Sequence, residues 1–320
     1  MFDIQKTSRI HDLCGLSNNQ VDILPDIYCV RKYMEPKHKE WNKFRKIPAQ
    51  NIFAFVSHPK MPSQQIDVMK NIKFWCHPFR ERQKYLLNNQ AKYILLPESD
   101  FMDANFVDMH NSKKTYDFFY FTLNSRQGIE YKGLKTFVNM LPILCGKLKK
   151  KGIVIVYYPA VGIKKKLDCL PAKYKKEIEK YSAYLDFVWG WQTQSKTASI
   201  MSKCKFGLFP NEIDCSPRMI PETILRNIPV LVNKDILGGW HYLSDETGFF
   251  FEKGNKSSYI EAIKKIDDIN CQGRDYFMSK WGFSRSSSIL RNFLLDNNFD
   301  VEKYSNIYFS CYKNYMSKLC

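Results

Sequence analysis

The fold is decided by one stretch of the chain, residues 206–232, which reads FGLFPNEIDCSPRMIPETILRNIPVLV. It begins with an apolar run typical of a buried strand, passes through an acidic turn and a short helical segment, and ends in a second buried-type run. Strand, helix and strand in this order predict a βαβ unit with parallel strands. Polar residues directly after the first strand therefore lie at the edge where such sheets bind ligands.

Two carboxylates bracket the turn, because Asp214 and Glu222 stand with seven residues between them. Ser216 and Pro217 suit a helix start, where backbone N–H groups and the positive end of the helix dipole attract anions. A carboxylate in the first helical turn can accept hydrogen bonds from a diol, while the N–H groups hold a phosphate. A diol and a phosphate are the two groups that a nucleotide-sugar presents.

A second pattern follows the apolar run YDFFYFTL at residues 116–123. Arg126 comes next, and after five more residues Lys132 and Gly133 open a predicted helix. A planar guanidinium and a flexible ammonium together neutralise a diphosphate well. Two basic residues at this spacing occur by chance in a chain with 49 Lys and Arg. Both patterns in order, each just after a strand-like run, are much harder to obtain by chance.

Together the patterns resemble the donor site of retaining GT-B glycosyltransferases of the glycosyltransferases group 1 family. That family has Glu at the first acidic position, so Asp214 is a departure. The resemblance implies an α/β, GT-B-like fold: two Rossmann-like domains with a central cleft, the N-terminal one abbreviated here. It implies that Asp214 faces the sugar, that Glu222 binds the ribose hydroxyls, and that Arg126 and Lys132 bind the diphosphate.

The resemblance assigns further residues by role: phosphate contacts near Ser216, Pro217 and Arg218, a base pocket at Gly190 and Trp191, and an acceptor-side histidine at His58. His77, which also precedes a proline, is the alternative to His58. Glu212 competes with Asp214 for the place beside the sugar. Each assignment has a structural alternative, because a carboxylate at a helix start often stabilises the dipole and an acid in a turn often closes an Asx turn.

The activity implied is sugar transfer from a UDP- or GDP-sugar to an acceptor hydroxyl, with retention and without a metal or other cofactor. The acceptor is a glycan or a lipid-linked or protein-linked group. Three alternatives stay open: an inverting GT-B enzyme with His58 as base, a non-catalytic nucleotide- or glycan-binding module, and a DNA-modifying glucosyltransferase.

Composition sets the limits on class and partners. The 320 residues are 44% hydrophobic and 15% aromatic, which indicates one large or two medium ordered domains. Residues 1–6 lack the apolar stretch of a signal peptide, and no apolar run reaches 18 residues, so neither a signal peptide nor a membrane span is expected. Ten cysteines without metal-binding spacing predict buried thiols, no zinc site and a cytoplasmic location.

The net charge of +17 favours anionic partners. Lysine clusters at 147–151, 164–166 and 173–176 are interpreted as solvated helix faces, with peripheral contact to an anionic membrane as the alternative. No DNA-binding motif accompanies them, so nucleic acid is not an expected partner. Frequent Lys, Asn and Tyr suggest an AT-rich viral or microbial genome.

The predicted domains are an N-terminal acceptor-side α/β domain over 1–112, a nucleotide-sugar-binding α/β domain over 113–283, and C-terminal helices over 284–320 that pack back on the first domain. Predicted strands in the second domain are 118–123, 153–158, 185–189, 206–209, 229–232 and 248–251. Predicted helices there are 132–150, with Gly152 as its C-terminal glycine, and 172–184, 195–202 and 221–226. The first domain is predicted to hold strands at 52–56, 72–76 and 92–96 and a helix at 80–90, and the tail to hold helices at 284–295 and 301–319.

Overall fold

The structure, a computed structural model, describes residues 11–12, 28–30, 52–56, 73–85, 91–104, 107, 109–110, 112–123, 126–157 and 170–298. They form two compact units. One unit combines the chain up to Met102 with a segment that begins at Trp281, and the other runs from Asp103 to Lys280.

The second unit begins earlier than the predicted boundary at residue 113 because its two ends are tied together. Arg274 Nη2 donates a hydrogen bond to the carbonyl oxygen of Ala104 at 2.8 Å. The same side chain donates through Nη1 to the carbonyl oxygen of Leu225 at 3.3 Å. The segment from Asp103 therefore belongs to the second unit.

The second unit contains a six-stranded, fully parallel sheet. Its strands are β6 (Tyr116–Leu123), β7 (Gly152–Tyr157), β8 (Leu185–Trp189), β9 (Cys204–Phe209), β10 (Val230–Asn233) and β11 (Gly248–Phe251). The spatial order is β8-β7-β6-β9-β10-β11. Numbered within the unit this is 3-2-1-4-5-6, the order of the Rossmann fold, and the direction of winding reverses between β6 and β9.

This sheet is buried on both faces, as parallel sheets are. Phe118 and Tyr120 of β6 pack on one face with residues of two helices, whereas Phe119 between them packs on the other face against Phe209, with ring centroids 5.9 Å apart. The alternation follows from the pleat of the strand, which points successive side chains to opposite faces.

Seven helices of the second unit lie in its described part: α1 (Arg126–Tyr131), α2 (Leu134–Leu141), α3 (Ala172–Glu179), α4 (Gln194–Ser202), α5 (Met219–Ile224), α6 (Lys256–Asp267) and α7 (Gly273–Lys280). The prediction of one helix over 132–150 is wrong, because α2 passes at Pro142 into a π-helical turn over Pro142–Lys147. Proline lacks the N–H that an α-helix needs there, and the Leu148 N–H donates to the Ile143 carbonyl oxygen five residues back, at 2.8 Å.

Gly152 is not a helix cap, and that prediction is also wrong. Lys149 takes the left-handed conformation after the π-helical turn, with φ 54°. Gly152 starts β7, and a Cβ there would lie 2.2 Å from the Phe118 ring. This glycine therefore makes room for an aromatic side chain.

The amino ends of the strands carry a charge cluster centred on Asp117. Its carboxylate accepts hydrogen bonds from Lys205 Nζ at 2.9 Å and from the Lys151 N–H at 2.9 Å, and Lys150 Nζ lies at 3.7 Å. Burial alone would raise the pKa of Asp117, but these contacts outweigh it and lower the pKa below its ordinary value. The cluster stands at the end of the sheet opposite to the carboxyl ends of the strands.

The first unit holds a five-stranded sheet in the order β1-β2-β3-β4-β5. Its strands are β1 (His11–Asp12), β2 (Tyr28–Val30), β3 (Ile52–Phe55), β4 (Phe74–His77) and β5 (Lys92–Leu95). The strands pair in parallel except β1, which is antiparallel to β2.

The helix predicted over 80–90 is a 3₁₀ turn, Arg82–Lys84, in the part that the structure describes. The turn buries none of its own residues, so it lacks the apolar face that would stabilise an α-helix.

A returning helix, α8 (Phe283–Asp296), completes the core of the first unit. Leu290 and Leu294 are fully buried in one cluster with Phe55, Phe74, Cys76, Leu96 and Phe101. The helix is fixed at its start, because the Gly282 N–H and the Ser286 hydroxyl both donate to the Asp100 carbonyl oxygen, at 2.9 and 2.7 Å. The second tail helix, predicted over 301–319, lies outside the described residues.

Candidate functional site

The sheet brings the two sequence patterns to one edge. The Arg126 pattern follows β6 and the Asp214 pattern follows β9, and these strands are neighbours in the sheet. Because they are parallel, their carboxyl ends open on the same side, at the point where the winding reverses. The topology thus places residues that are far apart in sequence at the expected ligand-binding crevice.

An ion pair joins the two loops. Lys132 Nζ lies 2.6 Å from Asp214 Oδ2, although the residues are 82 positions apart. The Lys132 side chain is 18% exposed and the Asp214 side chain 8%. Both are predicted site residues, one from each of the two patterns.

Two contacts fix the backbone of the loop at Lys132 and Gly133. Tyr120, fully buried in β6, donates its hydroxyl to the Lys132 carbonyl oxygen at 3.0 Å. Gly133 adopts φ 67°, and a Cβ there would lie 2.2 Å from the Pro210 carbonyl oxygen. Only glycine meets both conditions without strain, so the loop that carries Lys132 packs directly on the loop that leads to Asp214.

The Asp214 turn is fixed by its neighbours as well. Asn211, which is 2% exposed, donates its side-chain N–H to Asp214 Oδ2 at 3.1 Å. The Gly238 N–H donates to the Asp214 carbonyl oxygen at 3.0 Å. A Cβ on Gly238 would lie 1.8 Å from the Cys215 carbonyl oxygen, so the loop after β10 lies against the turn backbone to backbone.

Glu212, the competing acid, has a different partner. Its carboxylate pairs with Lys253 Nζ at 2.7 Å, and both side chains are more than one-third exposed. The two acids of the turn therefore serve different contacts, and Asp214 is the one that meets Lys132.

Glu222 stands in the first turn of α5 and is half-buried. Burial raises the pKa of its carboxyl above the ordinary value, and the nearby charges of Arg226 and Arg218 oppose the rise. Arg226 Nη1 donates to the Glu222 backbone carbonyl at 2.6 Å, whereas the carboxylate itself accepts no hydrogen bond from the residues that the structure describes. A half-buried carboxylate whose oxygens accept no hydrogen bond from the described residues can accept hydrogen bonds from a ligand.

The helix start differs from the prediction. Helix α5 begins at Met219, and Arg218 precedes it without a side-chain cap. Pro217 is buried, and a Cβ on Gly239 would lie 2.7 Å from its Cγ. Pro217 thus fills space beneath the turn, and Ser216 is half-buried just before it.

Gly190 and Trp191 directly follow β8 at the same edge of the sheet. Gly190 has φ 90°, and nothing lies within 4 Å of the position of a Cβ. The Trp191 side chain is 52% exposed, which is unusual for the largest aromatic residue. Its position leaves an aromatic face available to a planar ligand.

Two predicted residues fall partly or wholly outside the description. Arg126 begins α1, but its side chain lies outside the described residues, and so does all of His58. His77, the alternative histidine, ends β4 and is 6% exposed. Its Nδ1 accepts the Phe79 N–H at 3.2 Å, which places the proton of the neutral ring on Nε2 and occupies the nitrogen that a general base would use.

Within the described ranges, no group of three or more His, Cys, Asp or Glu side chains could hold a metal ion. None of the helices described there is long and apolar enough to cross a membrane.

Sequence reasoning missed three contributors to this edge: Tyr120, Asn211 and Gly238. Asn211 was readable as a polar residue in the loop directly after β9, where ligand-side groups collect. Tyr120 acts through its hydroxyl on the Lys132 carbonyl oxygen and Gly238 through its backbone N–H on the Asp214 carbonyl oxygen, and no local sequence pattern indicates either contact.

Comparison with known proteins rests on structure alone. Neither a protein-family model nor a curated protein matches the sequence. Sucrose-phosphate synthase from Thermosynechococcus elongatus matches over 81% of this chain and 70% of its own, with 12% identity and a TM-score of 0.58. Anabaena HepE, solved in complex with UDP, matches over 80% and 74%, with 11% identity and a TM-score of 0.59.

A glycosyltransferase from Rickettsia africae matches over 83% of this chain and 76% of its own, with 13% identity and a TM-score of 0.59. At such identities a likeness establishes the fold alone. The chain has an α/β, GT-B-like fold.

Proposed function

We propose that this protein is a retaining, metal-independent glycosyltransferase that moves a sugar from a nucleoside diphosphate sugar to an acceptor hydroxyl. One observation carries the proposal: the loops after β6 and β9 meet at the reversal of the sheet through Lys132 and Asp214, 2.6 Å apart. A fixed cation at the carboxyl ends of parallel strands is suited to a phosphate-bearing ligand.

The structural neighbours support a nucleotide-sugar as the donor. HepE was solved with UDP, and another neighbour is a sucrose-phosphate synthase. Both share the fold of this chain, and open α/β sheets bind ligands at the carboxyl ends of their strands, the edge at which Lys132 lies.

In the proposed reaction the glycosidic bond to the diphosphate breaks and the acceptor oxygen bonds to the anomeric carbon. Negative charge grows on the leaving diphosphate as the bond breaks. Lys132 and Arg126 would stabilise that charge, which fixed donors do without reorganisation. The acceptor proton would pass to the departing diphosphate on the same face, so no protein nucleophile is required.

The remaining residues would orient the donor. Glu222, whose carboxylate accepts no hydrogen bond from the described residues, would accept the ribose hydroxyls. Trp191 would stack on the base through its exposed face. Ser216 and Arg218, at the turn before α5, would lie beside the phosphates.

The acceptor is proposed to be a glycan or a lipid-linked or protein-linked group, met in the cytoplasm. Exposed lysines at 147, 149 and 151 support a peripheral contact with anionic membrane. These lysines lie near the amino ends of the strands, opposite to the edge that carries Lys132, so this contact would hold the protein at the membrane surface without adding to the acceptor site.

The first experiment is a thermal-shift panel of nucleoside diphosphates and their sugars. A ligand at 100 times its Kd stabilises the fold by about 2.7 kcal/mol. The second step measures transfer and hydrolysis of the ligand that binds. Binding without release of nucleoside diphosphate from the sugar would identify a binding module and refute the enzyme.

The variant Glu222→Ala tests the donor site. Loss of a charge-assisted hydrogen bond costs about 1.5–3 kcal/mol, which weakens nucleoside diphosphate binding by about ten- to a hundred-fold. The control is Glu179→Ala, an exposed helix carboxylate on α3, which should leave affinity unchanged. Equal affinities of Glu222→Ala and the wild type in calorimetry would remove Glu222 from the site.

A further inference from the structure

The ion pair at the sheet edge uses Asp214 in a way that the sequence resemblance does not imply. Lys132 Nζ and the Asn211 side-chain N–H both donate to the same carboxylate oxygen, Oδ2, at 2.6 and 3.1 Å. Counted over the whole residue, backbone included, Asn211 is 2% exposed and Asp214 6%. The carboxylate is therefore oriented by two donors in a nearly closed environment.

Both ends of the pair are also fixed through their backbones. The Lys132 carbonyl accepts from Tyr120 at 3.0 Å, and the Asp214 carbonyl accepts from Gly238 at 3.0 Å. Asp is one methylene shorter than the Glu that the glycosyltransferases group 1 family has at this position, so its carboxylate stays close to its own turn. The short side chain suits a contact with Lys132 better than a reach towards a sugar.

We propose that Asp214 is a positioning residue, which holds the Lys132 ammonium in place for the diphosphate instead of contacting the sugar hydroxyls. The inference rests on the proposed function. A lysine side chain is long and flexible, and ordering it on ligand binding costs entropy. The contact with Asp214 orders it before the ligand arrives.

The geometry leaves Lys132 able to act. An ammonium carries three donor protons, and Asp214 takes one of them, so two remain for phosphate oxygens. Asn211 stabilises the ion pair, because its side-chain N–H orients Asp214 Oδ2 while making no hydrogen bond to Lys132. The role assigned to Asp214 is thus exerted entirely through Lys132.

The test is a double-mutant cycle with Asp214→Ala, Lys132→Met and the double variant, measured as kcat and KM for the donor. We expect Asp214→Ala to lower kcat by about tenfold or more, the scale for a disturbed electrostatic donor, with a smaller change in KM. In the Lys132→Met background the same change should cost less than about twofold, because its effect requires the lysine.

A sugar contact gives the opposite pattern. Asp214→Ala would then cost the same factor with and without Lys132, and its effect would appear with the nucleoside diphosphate sugar but not with the nucleoside diphosphate. Either that result or an unchanged kcat in Asp214→Ala overturns the proposal.

Three further measurements keep the outcome clear. Asp214→Asn retains an acceptor for the ammonium and should lose less kcat than Asp214→Ala; it replaces Asp214→Ala in the cycle with Lys132→Met if Asp214→Ala does not fold. Glu261→Ala removes an exposed ion pair with Lys265 on α6 and should change neither kcat nor KM. A wild-type protein that neither binds nucleoside diphosphates nor transfers sugar refutes the proposed function itself, whereas an active wild type without coupling refutes only the role of Asp214.

Discussion

Gly133→Ala is the most informative single change for the architecture of the site, because it acts where the Lys132 loop meets the Pro210 loop. Alanine at φ 67° costs about 1 kcal/mol or more in backbone strain. The new Cβ would also lie 2.2 Å from the Pro210 carbonyl oxygen, well inside van der Waals contact. Overpacking of this kind adds about 1–3 kcal/mol, so the expected total is about 2–4 kcal/mol.

Gly254→Ala is the matched control. Gly254 has φ 79°, but nothing lies within 4 Å of the position of its Cβ, so it incurs the backbone strain without the clash. For a unit of this size each 1 kcal/mol lowers Tm by about 2–4 °C. We expect Gly133→Ala to lower Tm by at least about twice as much as Gly254→Ala, measured by circular dichroism in parallel.

The comparison has a clear negative outcome. If the two glycine variants unfold at the same temperature, Gly133 does not pack on a fixed Pro210 backbone, and the account of a rigid Lys132 loop is wrong. A Gly133→Ala protein that remains folded should also bind nucleoside diphosphate more weakly, since Lys132 is displaced with its neighbour.

Four further expectations follow from the charges and the exposed tryptophan. Arg126→Ala and Lys132→Ala should each lower kcat by about 10²-fold with little change in affinity for the bare nucleoside, and full kcat in both would contradict the diphosphate role. Transfer should persist in EDTA, whereas a strict requirement for Mg²⁺ or Mn²⁺ would point to another class of transferase. Trp191→Ala should weaken binding of the nucleoside by about 1 kcal/mol or more if the ring stacks on the base; unchanged affinity in calorimetry would exclude stacking. Asp117→Asn should destabilise the fold by about 1 kcal/mol at neutral pH, and the effect stays small because the partner Lys205 is half-exposed. The pKa of Asp117 is lowered in the folded state, so its stabilisation is present above the ordinary Asp pKa of about 4 and is lost as the pH falls through the folded pKa. The free energies of unfolding of variant and wild type, measured in urea, should therefore converge at low pH.

The placement of Lys132 and Asp214 could be predicted because each follows an apolar strand-like run. Parallel strands that neighbour each other open on one edge, so residues after them converge without any knowledge of side-chain detail. The same reasoning placed Gly190 and Trp191 after β8. Spacing alone could not show that Asp214 contacts Lys132, since that depends on the path of two loops.

Other features of the structure were not predicted from the sequence, and the reason differs from one feature to the next. Helix α6 was missed although its buried residues Tyr259, Ala262, Ile263 and Ile266 follow a helical period, so the signal was present in the sequence. The π-helical turn at Pro142 was not readable, because neighbouring contacts decide whether a proline ends a helix or widens it. The docking of Gly238 on the Asp214 turn requires a glycine, because a Cβ there would lie 1.8 Å from the Cys215 carbonyl oxygen, but a glycine in a loop does not show which backbone it approaches.

The return of α8 to the first sheet has a consequence for how the chain matures. The second unit is continuous from Asp103 to Lys280, whereas the first needs Leu290 and Leu294 to close its core. At ribosomal rates of roughly 5–20 residues per second, the strand carrying Phe74 waits on the order of ten seconds or more for its helix. During that interval its apolar face is open to chaperones or to other nascent chains, and a chain that stops before Phe283 never closes it.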